Sequence, residues 1–328
     1  MKYKVFFLAV ILFGFQINAQ QLYSKKEPFA HTFSIVARDT ITGEMGVAVQ
    51  SHWFSVGSLV AWGKAGVGVV ATQSFINPSF GPRGLSLLED GLTPKMAVKV
   101  LLKLDEGRDV RQLAILNAKG DVFSYTGKNC IAEAGNIVGS NFSVQANLME
   151  KNTVWPAMAK AFKNTKGSLA ERLLSALEAA QKEGGDIRGK QSAAILVVKA
   201  KSTGNSWEDK VVDLRVEDSP NPIKEMRRLL TIHKAYEYMN LGDLAVETGN
   251  NKLAKAYYMK AQKLNSDNLE MKYWYAVTLA NNGEIEEASK IFKAIFKINS
   301  NWKTLTPRLV KSKLLTISKE DLKKIIQL

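Results

Sequence analysis

Cysteine and histidine are both scarce in this chain. Its 328 residues include one cysteine, Cys130, and three histidines. A single cysteine excludes an intrachain disulfide, so the fold must depend on its hydrophobic core. Free cysteine packs as a small hydrophobe, and no local base accompanies Cys130. We therefore predict a buried or half-buried structural thiol rather than a nucleophile.

Several familiar catalytic and metal-binding motifs are missing. His31 and His52 show neither HExxH nor CxxC spacing, which argues against a metal site. In Gly63–Gly68 the lysine precedes the glycines, so this segment predicts a turn rather than a phosphate-binding loop. Neither a GxSxG serine elbow nor a dinucleotide fingerprint is present. Ser51 and His52 would make a poor relay with Asp39, because neighbouring residues on a strand face opposite ways. We predict neither a metal nor a cofactor.

A short apolar run lies at the start of the chain. Lys2 and Lys4 precede Val5–Phe15, and a plausible cleavage site ends at Ala19. The apolar run is too short to span a membrane comfortably. We therefore predict a signal peptide over residues 1–19, export to the periplasm or the medium, and a mature chain that starts near Gln20 with no membrane span. A retained anchor is the alternative.

Positive charge exceeds negative charge, with a formal net charge of +14. Residues 220–328 carry 19 Lys and Arg against 11 Asp and Glu, so +8 of the excess lies there. These residues are scattered singly and in short pairs, as is typical of solvated helix faces. Since export separates the chain from nucleic acid, we predict no nucleic-acid partner. An anionic envelope component or polysaccharide, attracted at long range, is the functional alternative.

The chain length predicts about two domains, and a hydrophobic content of 46% is ordinary for a globular protein. A polar arm over residues 20–31 precedes a region, residues 32–218, in which strand and helix patterns mix. The strand candidates are Phe33–Ala37, Gly46–Gln50, Val67–Thr72, Gln112–Asn117, Val122–Thr126, Phe142–Leu148, Ala193–Ala200 and Lys210–Val216. The helix candidates are Pro82–Glu89, Pro94–Leu104, Trp155–Phe162 and Ser168–Lys182.

The order of these elements is neither a βαβ series nor an all-β array. It predicts an α+β fold in which antiparallel sheets carry helices on their outer faces, a four-layer αββα sandwich. An α+β domain with one sheet is the alternative. Thr93 is a predicted N-cap before Pro94, and Ser168 with Glu171 forms a capping-box pattern. We interpret three Arg–Asp neighbours as turn and salt-bridge motifs rather than carboxylate-binding sites: Arg38-Asp39, Asp109-Arg111 and Asp186-Arg188.

Residues 223–328 have an almost purely helical pattern with an internal repeat of 34 residues. Small and aromatic residues recur at that spacing: Gly242, Ala254 and Tyr258 correspond to Ala276, Ala288 and Phe292. The pattern resembles the tetratricopeptide repeat, in which small residues let paired helices approach and an aromatic side chain fills the gap. Further helices are predicted at Ile223–Lys234, Leu305–Leu315 and Lys319–Ile326. The repeat implies a protein partner, and a stabilising or dimerising appendage is the alternative.

Five blocks of the mixed region occur in an order found in one family. They are Thr32–Ser51, Gly66–Gly84, Gly107–Gln112, Phe142–Leu148 and Gly184–Val198. From Thr32 to about Val216 the chain resembles the domain of unknown function 1028 family. Members of that family resemble the N-terminal-nucleophile hydrolase fold, so the resemblance implies this fold for the first domain. The family has no assigned reaction.

The implied fold suggests a specific reagent. In such hydrolases a terminal Thr attacks an amide carbonyl, and its own α-amine, with a pKa of about 7.7–8.0, takes the proton. Thr32 occupies the matching position at the head of the first strand. Signal cleavage after Ala19 would leave Thr32 inside the chain, and His31 is not the glycine often found before self-processing threonines. Hydrolysis of an amide, peptide or cell-wall fragment therefore needs a second cut before Thr32.

Hydroxyl and amide side chains near the predicted strand ends are candidate contacts to a substrate or an oxyanion. These candidates are Ser34, Gln73, Ser74, Asn77 and Asn147. Turn formation and backbone satisfaction are the alternative roles for each of them. A non-catalytic binding or assembly protein of the cell envelope, acting through the sheet cleft or the helical tail, is the alternative function for the whole chain.

Overall fold

Residues 29–30 and 32–328 are described by a computed structural model of the chain. The predicted signal peptide, residues 1–19, lies outside the described residues, as does the predicted arm apart from the backbone of residues 29–30. Among the described helices, none is both long enough and apolar enough to cross a membrane.

Within the described residues, the strands form two antiparallel sheets. The five-stranded sheet has the order β1-β5-β6-β7, with β4 also paired to β5, and the six-stranded sheet has the order β11-β10-β3-β2-β9-β8. The strands are β1 (Phe29–Ala30), β2 (Thr32–Arg38), β3 (Met45–Ser51), β4 (Ala61–Lys64), β5 (Gly68–Phe75), β6 (Arg111–Asn117), β7 (Val122–Thr126), β8 (Gly135–Gly139), β9 (Phe142–Ala146), β10 (Ser192–Val198) and β11 (Lys210–Val216).

Helices alternate with the strands in the first part of the chain, and every element after β11 is a helix. The helices are α1 (Gly57–Val60), α2 (Phe80–Glu89), α3 (Pro94–Lys103), α4 (Val154–Asn164), α5 (Leu169–Lys182), α6 (Pro222–Glu247), α7 (Asn251–Leu264), α8 (Leu269–Asn281), α9 (Ile285–Ile298), α10 (Asn301–Leu305), α11 (Arg308–Lys311) and α12 (Lys319–Ile326). This is a mixed α+β fold with two sheets and a helical C-terminal region, and the single-sheet alternative is wrong.

Alternating side chains divide the core of the two-sheet region. Val36, Val47 and Val69 belong to an apolar cluster that both sheets contribute to, so it lies between them. Phe33 and Ile35 point the other way and pack with α4 and α5. The opposite face of the five-stranded sheet packs against α2 and α3. Since successive residues of a strand face opposite sides, these contacts determine which residues of each strand face the other sheet.

The predicted turns and caps are confirmed where they depend on local hydrogen bonds. Asp39 accepts the backbone N–H groups of Ile41 and Thr42 at 2.8 and 2.9 Å and pairs with Arg172 of α5 at 3.1 Å. Thr93 caps α3, and Ser168 forms the capping box of α5. These contacts satisfy backbone donors at turns and helix ends that no intrahelical bond can reach.

The interpretation of the Arg–Asp neighbours needs one correction. Asp186 and Arg188 do pair, in a two-pronged contact of 2.7 and 3.0 Å. Arg111, however, pairs with Asp105 at 2.7 Å, while Asp109 meets Lys128. Asp109 stands in a 3-10 turn before β6, and that turn brings Asp105 beneath the buried guanidinium.

The helical region contains the predicted repeat. Gly242 lies against Tyr258, where an added Cβ would come within 2.5 Å of the ring, so the small residue sets the distance between α6 and α7. Ala276 and Phe292 are fully buried at the equivalent positions of α8 and α9. Gly249 and Gly283 end their helices with positive φ angles of 71° and 83°, which favour glycine.

Two predicted helix boundaries in this region are wrong. The helix expected at Ile223–Lys234 continues to Glu247 as the 26-residue α6, because the sequence after Lys234 contains no helix-breaking residue until Gly242 near its end. Met226 at the start of α6 belongs to the core of the two-sheet region, so this helix serves both parts of the chain. The helix expected at Leu305–Leu315 is instead α10 and α11, separated at Pro307.

Candidate functional site

The inner faces of the two sheets change character near the start of β2. Beyond Val36 the apolar layer gives way to Ser34 and Thr32 on the same face of β2. Strand alternation places Gln73 of β5 and Gln112 of β6 on the facing surface, in line with Ala71 and Ala114 of the inter-sheet core. All four polar side chains are at most 1% exposed. One end of the inter-sheet layer is therefore polar and closed to solvent.

These side chains form a connected network, which we call the inter-sheet amide cluster: Ser34, Gln73, Gln112, Gln145 and Asn147. The Ser34 hydroxyl donates to Gln73 Oε1 at 2.6 Å and accepts from Gln145 Nε2 at 2.6 Å. Gln112 Oε1 accepts from Gln73 Nε2 at 2.6 Å and from Asn147 Nδ2 at 2.9 Å. Buried polar groups stabilise a fold when each has its partner, and this cluster meets that condition across both sheets.

Thr32 lies at the edge of the cluster with a side chain that is 0% exposed. Its carbonyl oxygen accepts from Gln73 Nε2 at 3.2 Å and from Asn147 Nδ2 at 3.4 Å. Opposite it across the sheet is Ser51 of β3. The two amide donors hold the Thr32 backbone, so they are already engaged by the chain itself.

Two residues shortly before Thr32 pair with the other sheet. Phe29 and Ala30 form β1 and pair with Phe75 and Ser74 of β5, in the five-stranded sheet. Thr32 begins β2 of the six-stranded sheet, so the chain crosses from one sheet to the other within two residues. In this form the Thr32 nitrogen belongs to a peptide bond and supplies no free amine.

Of the predicted site residues, Thr32, Ser34, Gln73 and Asn147 come together and two do not. Asn77 lies beyond β5, where its Oδ1 accepts from the N–H and hydroxyl of Ser79 at 3.2 and 2.7 Å and shapes the turn into α2. Ser74 is buried beside Cys130, and its hydroxyl makes no regular hydrogen bond within the described residues.

Backbone strain accompanies the cluster. Ser74 has a φ angle of 73° and Leu148, directly after Asn147, has a φ angle of 58°. Non-glycine residues with positive φ are uncommon, and strained positions tend to occur at functional sites. Both outliers stand where strands of different sheets end near Thr32.

Gln112 and Gln145 were missed as members of the site. Gln112 is the hub: its Nε2 also donates to the Thr126 hydroxyl at 2.9 Å and to the Ala146 carbonyl at 2.9 Å. Gln112 occupies an otherwise apolar face of its predicted strand, with Ala114 and Leu116, and this is the signal that identifies it; Gln145 instead shares a polar face with Ser143 and Asn147. A glutamine in such a place must find partners inside the protein.

The cluster contains no titratable side chain, so it can orient or bind groups but cannot transfer a proton. Cys130, at the end of the turn after β7, is half-buried and its Sγ donates to the Arg111 carbonyl at 3.4 Å. Burial raises the pKa of this thiol, which suits the predicted structural role. Residues 29–30 and 32–328 hold no group of three or more His, Cys, Asp or Glu placed to bind a metal.

A second candidate site lies in the helical region. We call it the repeat groove, a cavity of about 390 Å³ lined by Asp243, Val246, Glu247, Tyr258, Trp274, Val277, Thr278, Asn281 and Leu314. Asn281 ties the last turn of α8 to the segment after α11, since it donates to the Leu314 carbonyl at 3.0 Å and accepts from the Thr316 N–H at 2.8 Å. These two hydrogen bonds hold the segment after α11, which includes Leu314, against the end of α8 at the groove.

Charge and apolar surface meet in the repeat groove. Both of its charged residues, Asp243 and Glu247, are acidic, although the helical region as a whole is basic. The Tyr258 hydroxyl donates to Asp243, and burial together with that carboxylate raises the pKa of Tyr258. Val246 is 39% exposed at the rim. The groove can therefore accept a cation beside an apolar group.

A two-sheet domain of this kind joined to helical repeats defines a two-part protein, and comparison with known families identifies both parts. Residues 32–226 match the model of the Family of unknown function (DUF1028), and residues 238–268 match a tetratricopeptide repeat. The chain belongs to the DUF1028 family, and its helical region contains a tetratricopeptide repeat. No curated protein matches the chain.

One solved structure supports the family assignment. The crystal structure of a Silicibacter pomeroyi protein described as DUF1028 is 32% identical, with a TM-score of 0.56, over 61% of this chain and 85% of that one. Anbu, an ancestral β-subunit from Yersinia bercovieri, is 14% identical over 61% of this chain and 93% of that one, with a TM-score of 0.31. The second likeness is too weak to carry an argument.

Proposed function

We propose that this chain is an exported binding protein whose repeat groove takes a partner segment with a basic side chain next to an apolar one. The groove itself is the observation that carries the proposal: Asp243 and Glu247 offer negative charge, and the half-buried Trp274 with the exposed Val246 offers apolar surface within one cavity. Exposed aromatic and apolar groups beside complementary charge are typical of surfaces that anchor a partner.

The two-sheet domain then acts as a support. Its helices cover the outer faces of both sheets, and the inner faces meet in one apolar layer. We propose that this is the four-layer αββα architecture of the N-terminal-nucleophile hydrolases. With Thr32 buried in mid-chain and its neighbouring amides engaged, Thr32 has no free amine to act as its base in this form.

Binding of defined peptides to the full chain tests the main proposal. We expect a fluorescently labelled Leu-Lys-Leu-containing peptide to bind more tightly than its Leu-Glu-Leu counterpart. V246Q and E247K should each weaken binding by about tenfold, since one lost anchor is worth on the order of 1–2 kcal/mol. Fluorescence polarisation gives both affinities.

Two variants of the same chemical type serve as controls. L253Q and E286K change exposed residues of α7 and α9 that do not line the groove. They should leave the affinity unchanged. Equal binding of both peptides, or equal losses in the control variants, would overturn the proposed site.

A second candidate function is a latent amide hydrolase that becomes active when the chain is cut before Thr32. Two observations favour it. The Gln73 and Asn147 amides already surround the Thr32 backbone, and the strained residues Ser74 and Leu148 stand beside it. Removing the preceding residues would free the α-amine as a base and uncover the cluster.

A specific protease site placed directly before Thr32 tests this candidate. After cleavage, we expect hydrolysis of simple amide and peptide probes by the Thr32 form, retention of part of the activity in T32S, and none in T32A or in the uncut chain. Mass spectrometry of the native exported protein adds a second criterion. An inactive cut form, or a native chain that always retains residues before Thr32, rules the hydrolase out.

A further inference from the structure

A cavity of the two-sheet region lies where α5 meets α6. We call it the junction cavity, of about 420 Å³, lined by Glu178, Gln181, Lys182, Lys190, Asn221, Ile223, Lys224 and Arg227. Lys182 ends α5, Lys190 precedes β10, and Lys224 stands in the first turn of α6. The cavity therefore draws positive charge from three separate segments of the chain.

The charges in this cavity do not balance. Glu178 is its only acidic residue, and Arg227 already pairs with it through two contacts of 2.9 and 2.8 Å. Among the described residues, Lys182, Lys190 and Lys224 have no salt-bridge partner. Three positive charges thus face one cavity with no carboxylate left for them.

The place of Lys224 strengthens this point. It is the third residue of α6, and a cation in the first turn of a helix is disfavoured by the helix dipole. Asn221, at the N-cap and in the cavity lining, makes no side-chain capping bond. The helix dipole favours a cation at a helix C-terminus, which explains Lys182 at the end of α5. The same effect does not explain Lys190 or Lys224. An anion in the cavity would offset the unfavourable position of Lys224.

The lining also limits the kind of anion. Ile223 gives the cavity an apolar wall beside these positive charges. We propose that the junction cavity binds a small organic or inorganic anion with two or more negative charges, of the carboxylate or phosphate class. Such a ligand bridges α5 of the two-sheet domain to α6, which leads into the repeats. This site is separate from the repeat groove, so either can fail alone.

Calorimetric titration of the full chain tests the site, with citrate and pyrophosphate as probes and acetate as a monovalent comparison. We expect citrate or pyrophosphate to bind with one-to-one stoichiometry and acetate to bind more weakly. In the variant K182Q/K190Q/K224Q the affinity should fall by about tenfold or more, because three exposed ion pairs are each worth up to about 1 kcal/mol. Binding should weaken as the salt concentration rises.

The variant K95Q/K99Q/K103Q is the matched control, since these lysines of α3 are also exposed and unpaired in the described structure but line no part of the cavity. Its affinity for the probes should lie within about twofold of that of the unaltered chain, which corresponds to a change in binding free energy of less than about 0.5 kcal/mol. Circular dichroism confirms that both variants fold. The proposal is overturned by an unaltered chain that binds neither polyvalent probe, or by equal losses in the two triple variants, which would indicate diffuse charge attraction.

Discussion

Replacing Gln112 by methionine lowers the free energy of unfolding by about 3–5 kcal/mol in our expectation. The substitution keeps the length of the side chain but removes its amide. Gln73 and Asn147 then lose an acceptor, and the Ala146 carbonyl loses a donor, all in a region sealed from water. A buried polar group left unpaired costs about 1–3 kcal/mol, and several are created at once.

The same substitution at Gln50 should have the opposite sign. Gln50 of β3 is also 0% exposed, yet neither of its amide atoms has a hydrogen-bond partner among the described residues. Removing an unsatisfied buried amide should raise the free energy of unfolding by about 1 kcal/mol. Calorimetric unfolding of Q112M and Q50M compares the two directly. A similar loss of stability in both would show that the hydrogen bonds of the cluster are not what distinguishes them.

A methyl group added at Gly81 is the second large effect. Gly81 lies in α2, and an added Cβ would come within 2.3 Å of the Trp62 ring. The ring is held in place by its indole N–H, which donates to the Leu59 carbonyl at 2.9 Å. Alanine usually stabilises a helix interior relative to glycine by up to about 1 kcal/mol. Here we expect a net loss of about 2–3 kcal/mol, because the ring or the helix must move.

Gly84 in the same helix provides the control for Gly81. A Cβ at Gly84 would meet only the tips of Ile115 and Val70, at 3.2 Å. G84A should therefore change stability by less than about 1 kcal/mol, since small shifts of flexible side chains suffice. Thermal unfolding of the two variants measures the difference. A G81A variant as stable as G84A would mean that Trp62 can be displaced at little cost.

Local patterns predicted much of this structure. The strand from Val122 to Thr126 has the bounds that alternation suggested, and Ser168 forms the expected capping box. The 34-residue repeat placed Tyr258 and Phe292 in the helical core. Each of these features depends on residues close together in the chain, and their spacing is therefore visible in the sequence.

Other features were missed because their local signal is weak. β4 and β8 are short and contain glycine, so neither shows the alternation of a longer strand. Arg111 could be assigned to either Asp109 or Asp105 from the sequence, and only the turn before β6 selects Asp105. Hydrophobic periodicity likewise predicted one helix over Leu305–Leu315 and did not show that the helix is interrupted at Pro307.

The candidate site shows where sequence reasoning ends. Residue types and strand ends pointed to Thr32, Ser34, Gln73 and Asn147, but they could not say whether Thr32 meets solvent. Its burial follows from the stacking of two sheets whose contributing strands lie far apart in the chain. Long-range contacts of that kind leave no period in the sequence.

The order of amino acids was enough to specify the α+β class, the helical repeats and the family, since periodicity, capping residues and short sequence blocks are properties of neighbouring positions. Folding in three dimensions settled which polar side chains meet, which charges remain uncompensated and which groups water can reach. Hydrogen bonding and charge pairing act through space over a few ångströms, so the amide cluster, the repeat groove and the junction cavity exist only once distant segments are packed together.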